Sequence, residues 1–205
     1  VEPSPAPAPA PTPKPTPAPL EDHELAVTYY SQRDNYRDAS RTCFSSSSAM
    51  ALNYVKPGAI SNDDDYIHTV FSIGDTTEAW VQVKALAEYG VDSEFRQDCT
   101  QQTIKDQIDK GFPVPVGILH KGSALAPSGG GHWITVIGYD ERLRTFIVHD
   151  PWGEINNATG EYISEDGEYL RYSYAMFSRR WTVDHDNDGW AIIIKSVEGQ
   201  DHPKT

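Results

Sequence analysis

Hydrophobic and polar positions do not alternate at all in the first twenty residues. Instead, proline fills every odd position from Pro3 to Pro19, nine of the fifteen prolines in the chain. Ala, Ser, Thr and a single Lys14 fill the gaps. Such a segment cannot form a helix or a strand ladder, and it has no apolar surface to bury. It predicts an extended polyproline-II spacer roughly 50 Å long. Residues 1–20 are therefore read as a Pro/Ala-rich linker to an upstream module of a longer chain, and 21–205 as one folded domain.

Within that domain the pattern changes period along the chain. Residues 26–31 (AVTYYS) predict a short strand, and 32–41 is polar and predicts a loop. Thr42 offers an N-cap to 43–55, a run rich in Ala, Met and Leu that predicts a buried helix ended by Pro57-Gly58. Residues 62–73 are a weak helix or loop. The stretch 77–89 places Trp80, Val83, Lys84 and Ala87 along one helical side, with Gly90 as its C-cap. A short strand over 93–96 and an amphipathic helix over 103–110 follow. Residues 114–119 (VPVGIL) predict a strand that Pro115 confines to an edge or an irregular point. After a loop at 122–131, the runs 132–139 (HWITVIGY) and 145–149 (TFIVH) predict two strands around Asp140-Glu141-Arg142. Residues 176–182 and 190–197 predict another strand pair around an Asp-rich turn. Helices first and an antiparallel sheet after them define an α+β class.

Composition narrows the function. Seventeen basic against thirty acidic residues give a net charge of -13, which argues against nucleic acid as the main ligand. No apolar run approaches the roughly 20 residues of a membrane-spanning helix, so no membrane insertion is expected. Two cysteines are too few for a disulfide scaffold, and 38% hydrophobic residues suffice for a core without one. Neither H-E-x-x-H nor C-x-x-C occurs, so no metal or cofactor is expected. Asp184-His185-Asp186-Asn187-Asp188-Gly189 resembles the start of a calcium loop, but Lys195 stands where such a loop needs Glu and strand-like residues flank it. A polar hairpin turn or a weak cation site is expected there.

The candidate chemistry begins at Cys43. A cysteine at a helix start meets free N–H groups and the positive end of the dipole, and both favour thiolate. Cys99, within Arg96-Gln97-Asp98-Cys99-Thr100, has no such setting. If Asp140, Glu141 and Arg142 form the turn between the two central strands, His132 comes opposite Asp150 on one sheet face. His149 then points to the other face. A nucleophilic Cys, a His and an orienting Asp have the roles of a cysteine-protease triad. A polar donor for the oxyanion is also needed, and Gln32 is the candidate, with Asn35 or the Cys43 N–H as substitutes.

Tyr29-Tyr30-Ser31-Gln32-Arg33-Asp34-Asn35, then Thr42-Cys43 with Ser-rich sequence into Ala49-Met50-Ala51-Leu52, resembles the N-terminal half of the C39-like, papain-fold cysteine peptidases. Gly131-His132-Trp133-Ile134-Thr135-Val136-Ile137-Gly138-Tyr139 and Val148-His149-Asp150-Pro151-Trp152-Gly153 resemble that family's His and Asp strands. The resemblance implies a papain-like fold, N-terminal helices packed on a C-terminal antiparallel sheet. It also implies amide hydrolysis with Cys43 as nucleophile, His132 as base, Asp150 as its orienter and Gln32 as oxyanion donor, without a cofactor. Two features depart from the family pattern: Phe44 follows Cys43 where Gly is frequent, and Gln32 lies eleven residues before Cys43. A peptidase of this kind on a proline linker is expected to be extracellular or virion-associated and to cut peptidoglycan peptides as a wall lysin. The alternatives are a non-catalytic papain-fold binding module and a transglutaminase-like acyl transferase.

Overall fold

The computed structural model describes residues 22–200. The spacer conformation expected for 1–20, and the boundary at 21, lie outside the described residues. In chain order the elements are β1 (Asp22–Glu24), α1 (Cys43–Val55), α2 (Asp63–Ile73), α3 (Ala79–Glu88), β2 (Val91–Cys99), α4 (Gln101–Asp109), β3 (Val114–Ile118) and β4 (His132–Asp140). β5 (Thr145–His149), β6 (Glu154–Ile155), β7 (Tyr162–Ser164), β8 (Leu170–Ser173), α5 (Tyr174–Trp181) and β9 (Gly189–Val197) complete them.

An antiparallel sheet runs β2-β9-β3-β4-β5-β8, and β1 pairs with the end of β4 that β3 leaves uncovered. Every residue of β4 is buried, as a central strand with helices on both faces requires. Alternation along β9 shows the two layers: Ile192 and Ile194 pack with α1, α2 and α3, while Ala191 and Ile193 pack with α4 and α5. Each buried isoleucine among them contributes roughly 1.5–3 kcal/mol. α1 is buried almost all round, and its run Ser45–Ser48 is small enough for β4 to approach until Thr135 Oγ1 donates to the Ser47 carbonyl at 3.0 Å.

The α+β class and the bounds of α1 agree with the sequence pattern, and several local expectations are corrected. Residues 26–31 form no ladder, although Leu25 N donates to the Ile137 carbonyl at 2.9 Å just before them. The loop 32–41 contains two 3-10 turns, Gln32–Asp34 and Ala39–Arg41. Thr42 makes no side-chain cap, because its hydroxyl is engaged by Asn35 at 2.8 Å. α3 buries Val81, Gln82, Ala85 and Leu86 and leaves Trp80 exposed, opposite to the predicted side. That face wins because buried Gln82 is satisfied by Ser45, Thr76 and Tyr66. β3 lies inside the sheet rather than at an edge, but its ladder to β9 starts only at Val116, after Pro115. Residues 176–181 belong to helix α5, with Thr182 as its C-cap, and not to a strand. Ser173 caps it by accepting from Met176 N at 3.3 Å, and Tyr174, Phe177 and Trp181 recur at helical spacing on its buried side. β9 therefore pairs with β2 and β3.

Candidate active site

Cys43 is the first residue of α1, where backbone N–H groups have no intrahelical acceptor. The helix start is anchored from behind. Buried Asn35 donates both amide hydrogens, to Thr42 Oγ1 at 2.8 Å and Ser46 Oγ at 2.9 Å. Its amide is thus spent inward, which removes Asn35 as a substitute oxyanion donor. Ser46 in turn donates to Asp63 Oδ2 at 2.6 Å.

Asp63 sits at the start of α2, where the dipole favours a carboxylate, yet burial outweighs that and the Ser46 bond and raises its pKa to about 6. A carboxyl raised from 3.8 to about 6 on folding contributes stability below pH 4 that is lost as pH rises through 6. Asp63→Asn is accordingly expected to raise the melting temperature at pH 8 relative to wild type and to leave it near wild type at pH 4. Thermal unfolding at both pH values checks this; a variant less stable at pH 8 contradicts it.

The hairpin that joins His132 to Asp150 has a different register from the one expected. Its turn spans four residues, 141–144, and Asp140 faces Thr145. Continued unchanged, that register would set Asp150 opposite Thr135, on the face away from His132. A bulge between Val136 and Gly138 shifts the pairing by one, so Val136 faces Val148 and Thr135 faces His149. Asp150 then falls on the His132 face as its diagonal neighbour. His132 Nε2 lies 2.8 Å from Asp150 Oδ1, and both side chains are buried. Trp152 N donates to the same oxygen at 2.9 Å. Gly167 fixes the backbone here: its carbonyl accepts from Asp150 N at 2.9 Å, and a Cβ on it would meet the Asp150 carbonyl oxygen at 1.9 Å.

With Nε2 held by Asp150, Nδ1 is left for Cys43, whose sulfur acts electrostatically on the imidazole. The Cys43 sulfur also lies 3.4 Å from the Gly131 carbonyl. Burial alone would depress the His132 pKa, but the Asp150 carboxylate and then the Cys43 sulfur outweigh it and raise it to about 10. The site therefore favours imidazolium. His149 is bound differently. Its Nδ1 accepts from Tyr169 N at 3.0 Å, so Nε2 donates to the Val27 carbonyl at 3.0 Å, and burial lowers its pKa. It is a neutral structural histidine, facing away as expected.

Gln32 lies in the same place. The loop that follows it folds back, and Gln32 Nε2 donates one hydrogen to the Ala39 carbonyl at 2.7 Å. That cavity, about 490 Å³, is lined by Gln32, Cys43, His132 and Trp152. On the other side of the thiol, Phe44, Phe95, Trp133 and Trp190 line a second hollow of about 260 Å³. Gly131 borders both, so the cleft runs past the sulfur in two directions. Arg33 holds Trp152 at the rim through a bond to its carbonyl at 2.6 Å and a guanidinium 4.1 Å above its ring.

Cys43, His132, Asp150 and Gln32 are thus brought together. Cys99 is remote and free, buried among α4, α5 and the sheet, and burial raises its thiol to about 11. Its sulfur is buried despite the polar neighbours in sequence. Asp188 accepts from the backbone N–H groups of Asp184 and His185 at 2.8 and 3.0 Å, the bonding of a closed polar turn. Two site neighbours were missed in the sequence. The His120 ring lies 5.1 Å from that of His132, and burial, then His132 and Lys121, press its pKa down to about 4. Tyr162 sets its ring edge-on to His132 at 6.1 Å, and its buried hydroxyl has no partner among the described residues. Both come from short segments without periodicity, so no sequence signal marked them.

A thiol at a helix start, an imidazole on a central strand and this layered α+β fold define a papain-like cysteine peptidase. A model of the Peptidase_C39 like family matches residues 24–183, and the chain belongs to that family. No curated protein sequence matches it. Solved structures share the fold at low identity. A C39-like protein from Bacillus anthracis is 13% identical, with a TM-score of 0.59 over 87% of this chain and 100% of that one. The peptidase domain of Streptococcus ComA, a bifunctional ABC transporter of a quorum-sensing pathway, is 19% identical, with a TM-score of 0.50 over 76% of this chain and 91% of that one. A double-glycine motif protease from an AMS/PCAT transporter, solved with its leader peptide, is 15% identical, with a TM-score of 0.52 over 84% of this chain and 93% of that one.

Proposed function

We propose that the protein hydrolyses peptide amide bonds by thiolate attack. The Cys43 sulfur adds to the scissile carbonyl, and His132 gives its proton to the leaving amine. Water then cleaves the acyl-enzyme with His132 as base. Asp150 orients the imidazole and supports its charge, and Gln32 donates to the oxyanion. The observation that carries this reading is the buried Cys43–His132–Asp150 line opening onto a two-sided cleft. The substrate class we propose is the peptide of peptidoglycan, cut by an extracellular or virion-borne wall lysin tethered to an upstream module. It rests on the seventeen-residue Pro-alternating segment 3–19, suited to holding a hydrolase at a distance from an anchoring partner. Release of new amino termini from purified peptidoglycan tests it, with an unstructured protein such as casein for comparison. Cleavage of casein alone contradicts the wall-lysin part and leaves the peptidase part standing.

Gln32 acts, on this reading, only on charge that develops in the transition state. Gln32→Ala is expected to lower kcat by roughly 10²–10³-fold with little change in KM. Steady-state kinetics check this, and a variant that keeps more than half of the wild-type kcat assigns the donor role elsewhere.

A further inference from the structure

Arg180, near the end of α5, is 1% exposed. All five of its guanidinium hydrogen bonds end on backbone carbonyls. Nε and Nη2 donate to Asn157 at 3.0 and 2.7 Å, Nη1 to Leu119 and Lys121 at 3.0 and 3.2 Å, and Nη2 also to Gly122 at 2.8 Å. In return, Leu119 N donates to the Arg180 carbonyl at 2.8 Å. A guanidinium stays charged in any such setting, so four carbonyl dipoles must take the place of water around it. Lysine, with three donors on a compact head, cannot span the same set.

The carbonyls belong to two separate pieces of chain. One is the segment after β3 that carries His120 and Lys121. The other is the loop of the β6–β7 hairpin, which carries Gly160 and Tyr162 and is not part of the main sheet. These four residues line the Cys43 cavity together with Gln32 and Trp152. The two pieces also touch directly. Ala124 N donates to the Ala158 carbonyl at 2.9 Å, and a Cβ on Gly160, whose φ is +80°, would meet the Gly122 oxygen at 2.3 Å. Cys43, His132 and Asp150 stand on α1, β4 and the end of β5, and none of their side chains bonds to Arg180.

We infer that Arg180 is a positioning residue for peptide binding: it clamps the 119–122 segment and the β6–β7 hairpin into one wall of the substrate cleft. The inference rests on Cys43 being the nucleophile. Loosening the wall removes contacts made equally in the ground state and the transition state, which raises KM and spares kcat. Cys43, His132 and Asp150 keep their own supports on α1, β4 and β5, so the thiol stays reactive toward a small alkylating reagent.

The test compares Arg180→Met, Arg180→Lys and Gly160→Ala with wild type, in the full chain, per titrated Cys43 thiol. Gly160→Ala pushes the two pieces apart from outside the clamp and keeps the test open should Arg180→Met fail to fold. Expected are a KM raised at least tenfold, kcat/KM down by up to roughly 10²-fold, and kcat and the rate of iodoacetamide labelling at Cys43 both within about threefold of wild type. Arg180→Lys should not restore KM. Wild-type KM in the folded variants, or losses that only track the number of titratable thiols, overturns the inference. Failure of wild-type Cys43 to label selectively overturns instead the underlying assignment of the nucleophile.

Discussion

Cys43→Ala is expected to abolish peptide hydrolysis, a loss on the order of 10⁶-fold in kcat, whereas Cys99→Ser should stay near the wild-type rate. Two free thiols in one chain make the comparison internal. Cys43 opens α1, acts electrostatically on an imidazole held protonated by a carboxylate, and borders the cleft on both sides. Cys99 lies in the second core layer with burial raising its thiol to about 11, so it is protonated at any working pH. The serine at position 99 buries a hydroxyl in place of sulfur, so a small fall in melting temperature is compatible with full activity. Hydrolysis rates of both variants, corrected for folded protein by circular dichroism, check the pair. Equal losses would contradict the assignment of one nucleophile.

The next largest effect is expected at Asp150. Asp150→Ala should reduce kcat/KM on the order of 10⁴-fold, because the imidazole loses both its orienting partner and the charge that supports its protonated form. Asp150→Asn separates the two. Its amide oxygen can still accept from Nε2 of His132 and from Trp152 N, so orientation is largely kept, but the negative charge is gone. The sign of the pH effect follows from a His132 pKa raised on folding from 6.5 to about 10. The stabilisation of the imidazolium is complete below pH 6.5 and is lost as pH rises through about 10. Wild-type activity should therefore decline on the alkaline side near pH 10, and the decline should come at lower pH in Asp150→Asn. Coincident alkaline limbs in the two proteins would contradict the role given to the carboxylate.

Much of this site was legible in the sequence, for reasons that differ by residue. α1 reads cleanly because an unbroken run of small and apolar residues from Cys43 to Leu52 follows Thr42, and Pro57 ends the helix. β4 and β5 read cleanly because each is a nearly continuous apolar run, as strands buried on both faces must be. The sequence pairs His132 with Asp150 only through a register that the chain does not adopt. The longer turn and the bulge at Val136–Gly138 each move the partner, and together they preserve the face. Bulges have no sequence signature of their own at an apolar position such as Ile137. β2 reads only as a fragment because Ser93 and Gln97 interrupt the apolar face of Val91, Phe95 and Cys99, while Asp92, Glu94, Arg96 and Asp98 charge the other face of an edge strand. α5 reads as a strand from sequence because its aromatic residues favour strands locally, while its helical period appears only when Tyr174 is counted with Phe177 and Trp181. Arg180 was illegible altogether. A basic residue near a helix end reads as solvated, and the carbonyls that it gathers come from two distant loops.

The central claim is that Cys43 is an imidazole-activated nucleophile, and alkylation with site-resolved mass spectrometry tests it most directly. Native protein would be treated briefly with limiting iodoacetamide across pH 4 to 10, and the modification of Cys43 and Cys99 followed separately. The account predicts fast labelling confined to Cys43, already present near neutral pH and lost selectively in His132→Ala. Labelling of Cys43 no faster than Cys99, or unaffected by His132→Ala, would contradict it.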